Sequence, residues 1–267
     1  MNTTSTSGII QKNPNQQNRL QTNKDQPGQD SITIIKSASK FFLLGGRTVT
    51  ALLNLSLSIK QGEFLVILGP SGSGKTTLLN LIGGLDNPSE GSVEFMGQDI
   101  SRLSSKKLTR FRLEHIGFVF QFFNLFPTLT ATENVSLPLE LKGVPIKKAR
   151  KQSVKILSEM GLAGRTDYFP DEMSGGEQQR VAIARALITD APLILCDEPT
   201  GDLDFVSGRE TLALMRRLNS EKGKTFVIVT HNSSIGQIAD RIVHLRDGSI
   251  TEIEVNPKPK DPLEITW

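Results

Sequence analysis

The feature that most constrains the fold is a glycine-rich segment, Gly69-Pro-Ser-Gly-Ser-Gly-Lys-Thr76, which directly follows the apolar run Phe64–Leu68. It matches G-x-x-x-x-G-K-[ST] at every fixed position. The glycines let backbone N–H groups turn toward phosphate oxygens, and a helix over Thr77 to Leu81 or beyond adds partial positive charge at its start. Lys75 is then expected to bridge the β- and γ-phosphates, and the Thr76 hydroxyl to hold Mg²⁺. The segment predicts a phosphate-binding loop between a strand and a helix.

Short apolar runs alternate with helical stretches along the chain, which is typical of an α/β domain with a mostly parallel sheet. The runs Leu193–Cys196 and Phe226–Val229 lack alternation, as strands buried on both faces do. Strands are predicted at Leu193–Cys196 and at Phe226–Thr230, which includes the second run. Further strands are predicted at Ile32–Lys36, Leu55–Ile59, Phe64–Leu68, Ile116–Phe120, Arg241–Leu245 and Ile250–Glu254. Two helical stretches, Glu133–Leu141 and Ile146–Met160, have no strand-like run between them. They predict an inserted helical subdomain.

Composition narrows the possible functions only slightly. The chain has 267 residues, of which 37% are hydrophobic, and 31 basic against 28 acidic residues give a net charge of +3. This charge is too small to favour nucleic acid as a partner. No run reaches the roughly 18 apolar residues that span a bilayer. The single cysteine, Cys196, excludes an internal disulfide and fits a reducing compartment.

Both ends of the chain are expected to lie outside the folded domain. Residues 1–30 contain eleven Asn or Gln residues, which predicts a disordered polar tail. Residues 256–267 carry Pro257, Pro259 and Pro262 among charges and are predicted to be a loose C-terminal tail. The domain is therefore expected over residues 31–255, with the helical subdomain at about residues 122–175.

A pair of acidic residues ends the strand Leu193–Cys196. Asp197 and Glu198 would lie at the carboxyl edge of the parallel sheet, which is also the edge of the phosphate-binding loop. Asp197 suits Mg²⁺, directly or through a water, and Glu198 is placed to polarise a water that attacks the γ-phosphate. An acidic strand end can also be purely structural, but its pairing with the phosphate-binding loop favours hydrolysis.

A third motif, Met173-Ser-Gly-Gly-Glu-Gln-Gln-Arg180, resembles the signature sequence of the ABC ATPases. Ser174 would cap a helix over Glu177 to Leu187, and the glycines would leave backbone N–H groups open to an anion. Glu177 replaces the glutamine of the commonest signature. The resemblance covers about residues 32–255 and implies a P-loop NTPase core with a mostly parallel sheet, an antiparallel β subdomain and an inserted helical subdomain.

The remaining marks of that family follow in the expected order. The resemblance makes Gln121 the Q-loop glutamine, which contacts Mg²⁺ and the attacking water, and His231 the switch histidine at the γ-phosphate. Gly201-Asp-Leu-Asp204 resembles the D-loop that crosses to the other subunit. Phe42 takes the place of the adenine-stacking aromatic, although Phe41 is adjacent and the sequence does not decide between them. The resemblance assigns nucleotide contacts to Phe42, Gly69, Pro70, Ser71, Gly72, Ser73, Gly74, Lys75, Thr76 and Thr77, with signature contacts at Ser174, Gly175, Gly176 and Glu177.

The resemblance also implies partners. Two ATP molecules, with Mg²⁺, would be held between the phosphate-binding loop of one subunit and the signature of another, in a head-to-tail homodimer. ATP hydrolysis would drive a separate membrane permease, which this chain would contact at the cytoplasmic face of the inner membrane. The apolar segment Phe122–Leu129 is a candidate docking surface for that permease. The sequence from Gly117 to Val135 is similar to that of the lipoprotein-release and macrolide-export branch of the family. An importer ATPase of the amino-acid type, or an ABC ATPase that regulates a membrane partner without transport, remains an alternative.

Overall fold

The structure is a computed structural model that describes residues 30–266. Ten strands in this range form two sheets. The strands are β1 Ser31–Leu44, β2 Arg47–Lys60, β3 Phe64–Leu68, β4 Glu90–Phe95, β5 Gln98–Asp99, β6 Ile116–Val119, β7 Leu193–Asp197, β8 Thr225–Thr230, β9 Arg241–Arg246 and β10 Ser249–Val255. The helices are α1 Lys75–Ile82, α2 Ser105–His115, α3 Ala131–Leu141, α4 Ile146–Glu159, α5 Gly175–Leu187 and α6 Phe205–Lys222. The predicted α/β class is confirmed.

The larger sheet has the order β10-β9-β3-β8-β7-β6 and is parallel except for its edge pair β9–β10. Its central strands are buried on both faces, because alternate residues enter two different cores. Phe64 and Val66 pack into one core with helices α5 and α6, whereas Leu65 and Ile67 pack into the other with α1. This explains why β3, β7 and β8 read as continuous apolar runs.

The smaller sheet is antiparallel, with the order β2-β1-β4-β5. Its long hairpin β1–β2 contacts the phosphate-binding loop, since a Cβ placed on Gly74 would come 2.5 Å from the Ala51 carbonyl oxygen. The Leu53 N–H also donates to the Gly248 carbonyl at 3.0 Å, in the turn between β9 and β10. The hairpin is thereby fixed against the edge of the larger sheet where that loop lies.

Helices α3 and α4 pack against each other and against α5. Helix α3 starts two residues before the predicted Glu133, because Thr130 and Glu133 form a capping box that satisfies the first-turn N–H groups. Both helices lie within residues 122–175, the range that the sequence assigns to a helical subdomain. The division of the chain into subdomains remains a prediction.

The C-terminal segment differs from the loose tail that its prolines predict. Ile265 is 1% exposed and belongs to the core beneath α6, and Arg209 of α6 donates to the Leu263 carbonyl at 2.8 Å. The prolines therefore shape a turn that returns an apolar side chain to the core. The predicted N-terminal tail lies outside the described residues except for Asp30, as does Trp267.

Within residues 30–266, no helix combines the length and the apolar character needed to cross a bilayer.

Candidate nucleotide-binding site

The phosphate-binding loop joins β3 to α1. Gly72 and Gly74 have φ angles of 78° and 99°, a region that side chains with a Cβ avoid. The Lys75 ammonium donates to the carbonyl oxygens of Gly69 and Pro70, at 2.8 and 3.0 Å. Helix α1 has no side-chain cap and no acidic residue in its first turn. The loop therefore offers uncapped N–H groups and a cation at one point, which is an anion-binding arrangement.

Four parallel strands bring the predicted motifs to one edge of the sheet. The phosphate-binding loop follows β3, and Gln121 lies two residues past the end of β6. Asp197 ends β7, and His231 directly follows β8. Because the carboxyl ends of parallel strands share an edge, these residues lie along one edge of the sheet although the sequence separates them widely.

The adjacent carboxylates of Asp197 and Glu198 contact different neighbours. Asp197 Oδ1 lies 3.4 Å from the Thr76 hydroxyl oxygen, and burial raises the pKa of the Asp197 carboxyl. Glu198 has a φ of 46°, so the chain turns sharply after β7 and directs its carboxylate toward β8. This turn separates two adjacent carboxylates into different contacts. Cys196 just before them is fully buried, and burial raises the pKa of its thiol, as expected for an inert core residue.

Three groups form hydrogen bonds with the Glu198 carboxylate. The Thr230 hydroxyl donates to Oε2 at 2.7 Å, and the backbone N–H of His231 donates to Oε1 at 3.0 Å. The His231 Nδ1 lies 2.8 Å from the same Oε1. Thr230 is therefore a residue of the site that the sequence analysis did not select. Its position at the end of an apolar strand next to His231 was the available clue.

Gln121 lies beside the D-loop segment. Its Nε2 donates to Asp202 Oδ1 at 3.2 Å, and its side chain leaves no room for a Cβ on Gly201 without close contact. Asp204 instead caps helix α6, where its Oδ1 accepts from the N–H groups of Val206 and Ser207, each at 3.0 Å. The hydrogen bonds from Ser207 lower the Asp204 pKa. Of the two acids in this loop, Asp202 is the one that contacts Gln121.

The signature segment forms the start of helix α5, two residues earlier than predicted. Ser174 Oγ accepts from the Glu177 N–H at 3.3 Å, and Glu177 Oε2 accepts from the Ser174 N–H at 2.8 Å, which completes a capping box. Arg165 donates to Glu177 Oε1 at 2.9 Å. The N–H groups of Gly175 and Gly176 precede the first intrahelical hydrogen bond, from Gln178 to Ser174, so the helix itself does not bond them.

The two candidate adenine-stacking rings differ in exposure. Phe42 is 38% exposed, whereas Phe41 is more covered and its N–H donates to the Ser89 hydroxyl at 3.1 Å. The Lys40 ammonium lies 5.1 Å from the Phe42 ring centre. Phe42 is therefore the more accessible of the two rings.

A groove of about 470 Å³ opens beside this site. Asn124 is its only lining residue from the predicted docking segment Phe122–Leu129. The other lining residues come from the α1–β4 connection, helix α2, strand β6, helices α3 and α5 and the residues just after β6 and α5, and they include Leu85, Arg112, Leu113, Phe118, Pro138, Leu141 and Arg185. Sequence reasoning missed these residues because they meet only after folding.

The profile of the ABC transporter family matches residues 52–201, which is more than half of the chain. The chain belongs to the ABC transporter family. It is an ATP-binding ATPase of that family, and the resemblance seen in the three motifs is confirmed.

Similar proteins fall in the branch that the sequence indicates. The macrolide export ATP-binding/permease protein MacB of Rhodopirellula baltica is 46% identical over 215 residues, which are 80% of this chain and 31% of that protein. The lipoprotein-releasing system ATP-binding protein LolD of Bacteroides fragilis is 48% identical over 203 residues, 76% of this chain and 94% of that protein. This chain therefore spans about a third of the MacB relative and nearly all of the LolD relative.

A solved structure shows the same fold. The ATP-binding cassette MJ0796 of Methanocaldococcus jannaschii, in a dimeric post-hydrolysis state bound to ADP and Pi, superposes with a TM-score of 0.78 at 44% identity. The alignment covers 84% of this chain and 98% of that one. The P-loop NTPase core expected from the sequence is thus confirmed at the level of the fold.

Proposed function

We propose that this chain is the ATP-hydrolysing subunit of an ABC transporter, that it acts as a head-to-tail homodimer, and that it drives a separate permease of the export or lipoprotein-release type. The observation that supports this most directly is the single sheet edge that carries the phosphate-binding loop, Asp197, Glu198 and His231. Binding to such a permease would hold this chain at the cytoplasmic face of the inner membrane.

The phosphate-binding loop fits the triphosphate of ATP. Its positive charge comes from Lys75, which is 8% exposed. Within the described residues, the Lys75 ammonium donates hydrogen bonds only to loop carbonyls. The Ser73 hydroxyl is buried and has no hydrogen-bond partner within the described residues. A phosphate oxygen would satisfy such a donor, so the loop has unmet donors where the nucleotide would lie. Phe42 would stack on the adenine with its exposed face.

The oxygen donors near the loop fit Mg²⁺. Thr76 and Asp197 lie close together, and the partly buried Asp197 carboxylate would be stabilised by a cation there. Hydroxyl and carboxylate oxygens are the ligands that Mg²⁺ prefers. We assign Thr76, Gln121 and Asp197 to the ion, with Asp197 binding directly or through water. When bound, the ion would neutralise charge on the β- and γ-phosphates.

Glu198 is the proposed general base. Its carboxylate is held by Thr230 and His231, so its orientation is fixed before ATP binds. From this position it would accept a proton from the water that attacks the γ-phosphate. His231 would contact the γ-phosphate and, through its ring nitrogen, orient Glu198. Gln121 would position the attacking water.

A second subunit would complete each site. Ser174, Gly175, Gly176 and Glu177 start one helix, and the N–H groups of Gly175 and Gly176, which the capping box leaves unbonded, would meet a γ-phosphate held by another subunit. Asp204 belongs to the D-loop that would cross the interface, and its use as a helix cap fixes that loop. Loss of the γ-phosphate would then weaken the interface and open the dimer.

The groove between α2, α3 and α5 is the proposed permease contact. Most of its lining is apolar and its charged residues are Arg112 and Arg185, so it suits a short amphipathic helix that carries an acidic residue. The MacB relative is named as both an ATP-binding and a permease protein, and this chain matches 31% of its length. The groove therefore offers the contact that a separate permease would need.

Glu198→Gln tests the hydrolytic mechanism. The amide keeps the hydrogen bond from Thr230 but cannot accept the proton, so we expect ATP turnover to fall roughly 100-fold or more while ATP binding persists. ATP with Mg²⁺ should convert this variant to a stable dimer in gel filtration with light scattering. The exposed glutamate of α6, Glu210, provides the control Glu210→Gln, which should behave as wild type. Undiminished turnover in Glu198→Gln would exclude Glu198 as the base.

The same variant tests the partner. Loaded with ATP and Mg²⁺, Glu198→Gln should retain a polytopic protein with a large extracytoplasmic domain from detergent-solubilised membranes, identified by mass spectrometry. Adding Leu141→Glu in the groove should abolish this retention, whereas Leu263→Glu outside the groove should not. Retention of an importer-type permease would contradict the export branch. Recovery of soluble proteins or nucleic acid alone would contradict the transporter function.

A further inference from the structure

Arg185, near the C-terminal end of helix α5, binds the chain just after Gln121. Its guanidinium donates to the carbonyl oxygens of Asn124 at 2.5 Å and of Phe123 at 2.7 Å. These partners lie more than 60 residues away in the sequence. One planar side chain thus joins the signature helix to the segment that carries Gln121.

The two residues that Arg185 holds have an uncommon backbone conformation. Phe123 has a φ of 57° and Asn124 a φ of 49°, and the left-handed region is disfavoured for a residue as large as Phe. Two consecutive residues persist there only when their surroundings fix them. The fork of donors from Arg185 supplies such a constraint, since the turn directs both carbonyls toward it.

The Arg185 guanidinium binds these backbone carbonyls and no carboxylate among the described residues. Among the described residues, its hydrogen bonds are the two to Asn124 and Phe123, and none of the ion pairs includes it. Burial lowers the pKa of Arg185 to about 10, because the guanidinium is largely removed from water. A guanidinium that binds only backbone carbonyls fixes the position of that backbone.

Helix α5 connects two places that the proposed mechanism must link. Ser174 starts it at the site of the second ATP, and Arg185 lies in its last turn, where it lines the groove proposed for the permease. Thirteen helical residues span about 20 Å. The other end of the 122–130 segment is tied to α3, because the buried Asn134 side chain donates to the carbonyls of Phe126, Leu129 and Thr130.

We infer that Arg185 is a positioning residue: its guanidinium holds the left-handed turn at Phe123 and Asn124 and so keeps Gln121 in register with the signature helix. This inference rests on the proposed function. Without the two hydrogen bonds from Arg185 the turn would relax, and Gln121 would shift relative to Asp202.

The test compares Arg185→Gln, Arg185→Lys and Arg209→Gln in the full chain. Arg209 is the matched control, because it also donates to a backbone carbonyl, that of Leu263, but far from the groove. Turnover and KM for ATP would be measured together with hydrogen exchange of backbone amides 121–126 and 72–78. Unfolding in urea would show whether each variant remains folded.

We expect Arg185→Gln to lower kcat roughly 10- to 100-fold with KM changed by less than about twofold, since only the position of Gln121 is lost. Amides 121–126 should exchange faster and amides 72–78 should not. Arg185→Lys should recover part of kcat, because lysine keeps the charge but lacks the planar fork. Arg209→Gln should match wild type.

Wild-type kcat and exchange in Arg185→Gln would overturn the inference, as would an equal loss in Arg209→Gln. If wild type itself hydrolyses no ATP, the proposed function fails. The exchange of amides 121–126 would still decide whether Arg185 positions this segment.

Discussion

Helices α1 and α5 both start at a proposed phosphate contact, but they treat their first-turn N–H groups in opposite ways. Helix α1 follows Gly74, has no side-chain cap, and carries Lys75 as its first residue. Helix α5 is closed by the Ser174–Glu177 capping box and carries a carboxylate in its first turn. The first helix start is prepared for an anion, whereas at the second the N–H groups of Ser174 and Glu177 are already bonded within the capping box.

This difference implies an order of events. An uncapped helix start with a lysine attracts a triphosphate strongly, and a capped start with a glutamate attracts it weakly. ATP would therefore bind the phosphate-binding loop of a monomer first, and the signature would join only when a second subunit brings it close. Arg165 offsets the Glu177 charge and keeps this second contact from being repulsive.

The largest expected effect comes from the same substitution made at the two helix starts. Gly74→Ala places a Cβ 2.5 Å from the Ala51 carbonyl oxygen in a residue with a φ of 99°. We expect it to lose about 2–3 kcal/mol of stability and at least roughly 100-fold in ATP affinity, because the loop must distort. Urea unfolding and titration with a fluorescent nucleotide would measure both.

Gly176→Ala is the matched variant, and its expected behaviour is different. Its Cβ would lie 3.1 Å from the Ser207 hydroxyl, and its backbone is not in the left-handed region. Alanine favours the helix by up to about 1 kcal/mol over glycine, which offsets this close contact. Monomer affinity for ATP should stay within about twofold while ATP-dependent dimerisation weakens. Equal loss of ATP affinity in both variants would remove the proposed order.

Removing the charge of Glu177 would sharpen the comparison with a smaller effect. Glu177→Gln can still accept from the Ser174 N–H but loses the ion pair with Arg165, so we expect a stability loss of about 0.5–1 kcal/mol. The ATP-bound dimer should become roughly two- to fivefold tighter in sedimentation, because less negative charge faces the γ-phosphate. Glu172→Gln is the control, since Glu172 accepts from the Phe169 N–H outside helix α5. A weaker dimer in Glu177→Gln alone would show that this carboxylate itself aids ATP binding.

Local patterns predicted the parts of the site that depend on neighbours in sequence. The bounds of β3 were correct, because Phe64–Leu68 is an apolar run between Glu63 and Gly69. The bounds of β1 and β2 were too short, since their outer halves are exposed and lack an apolar alternation. Arg185 could not be predicted as a partner of Phe123, because neither a positive φ at phenylalanine nor a contact across 62 residues leaves a pattern in the sequence.

The smallest expected effect is a pH dependence at the start of α5. The hydrogen bond from the Ser174 N–H, followed by the contacts with Arg165, lowers the pKa of Glu177 from its usual 4.5. A carboxyl whose pKa is lower in the folded state stabilises the fold above the unfolded pKa, and this stabilisation is lost as the pH falls through the folded value. The stability difference between wild type and Glu177→Gln should therefore be constant above about pH 6 and shrink below pH 4.5. Urea unfolding between pH 4 and pH 7 would measure it.

Helix α1 has no acid in its first turn, so its start has no matching titration in the acidic range. A difference that stays constant down to pH 4 would mean that the pKa of Glu177 is the same in the folded and unfolded chain, and it would contradict the lowered pKa. A difference that grows on acidification would contradict the capping role.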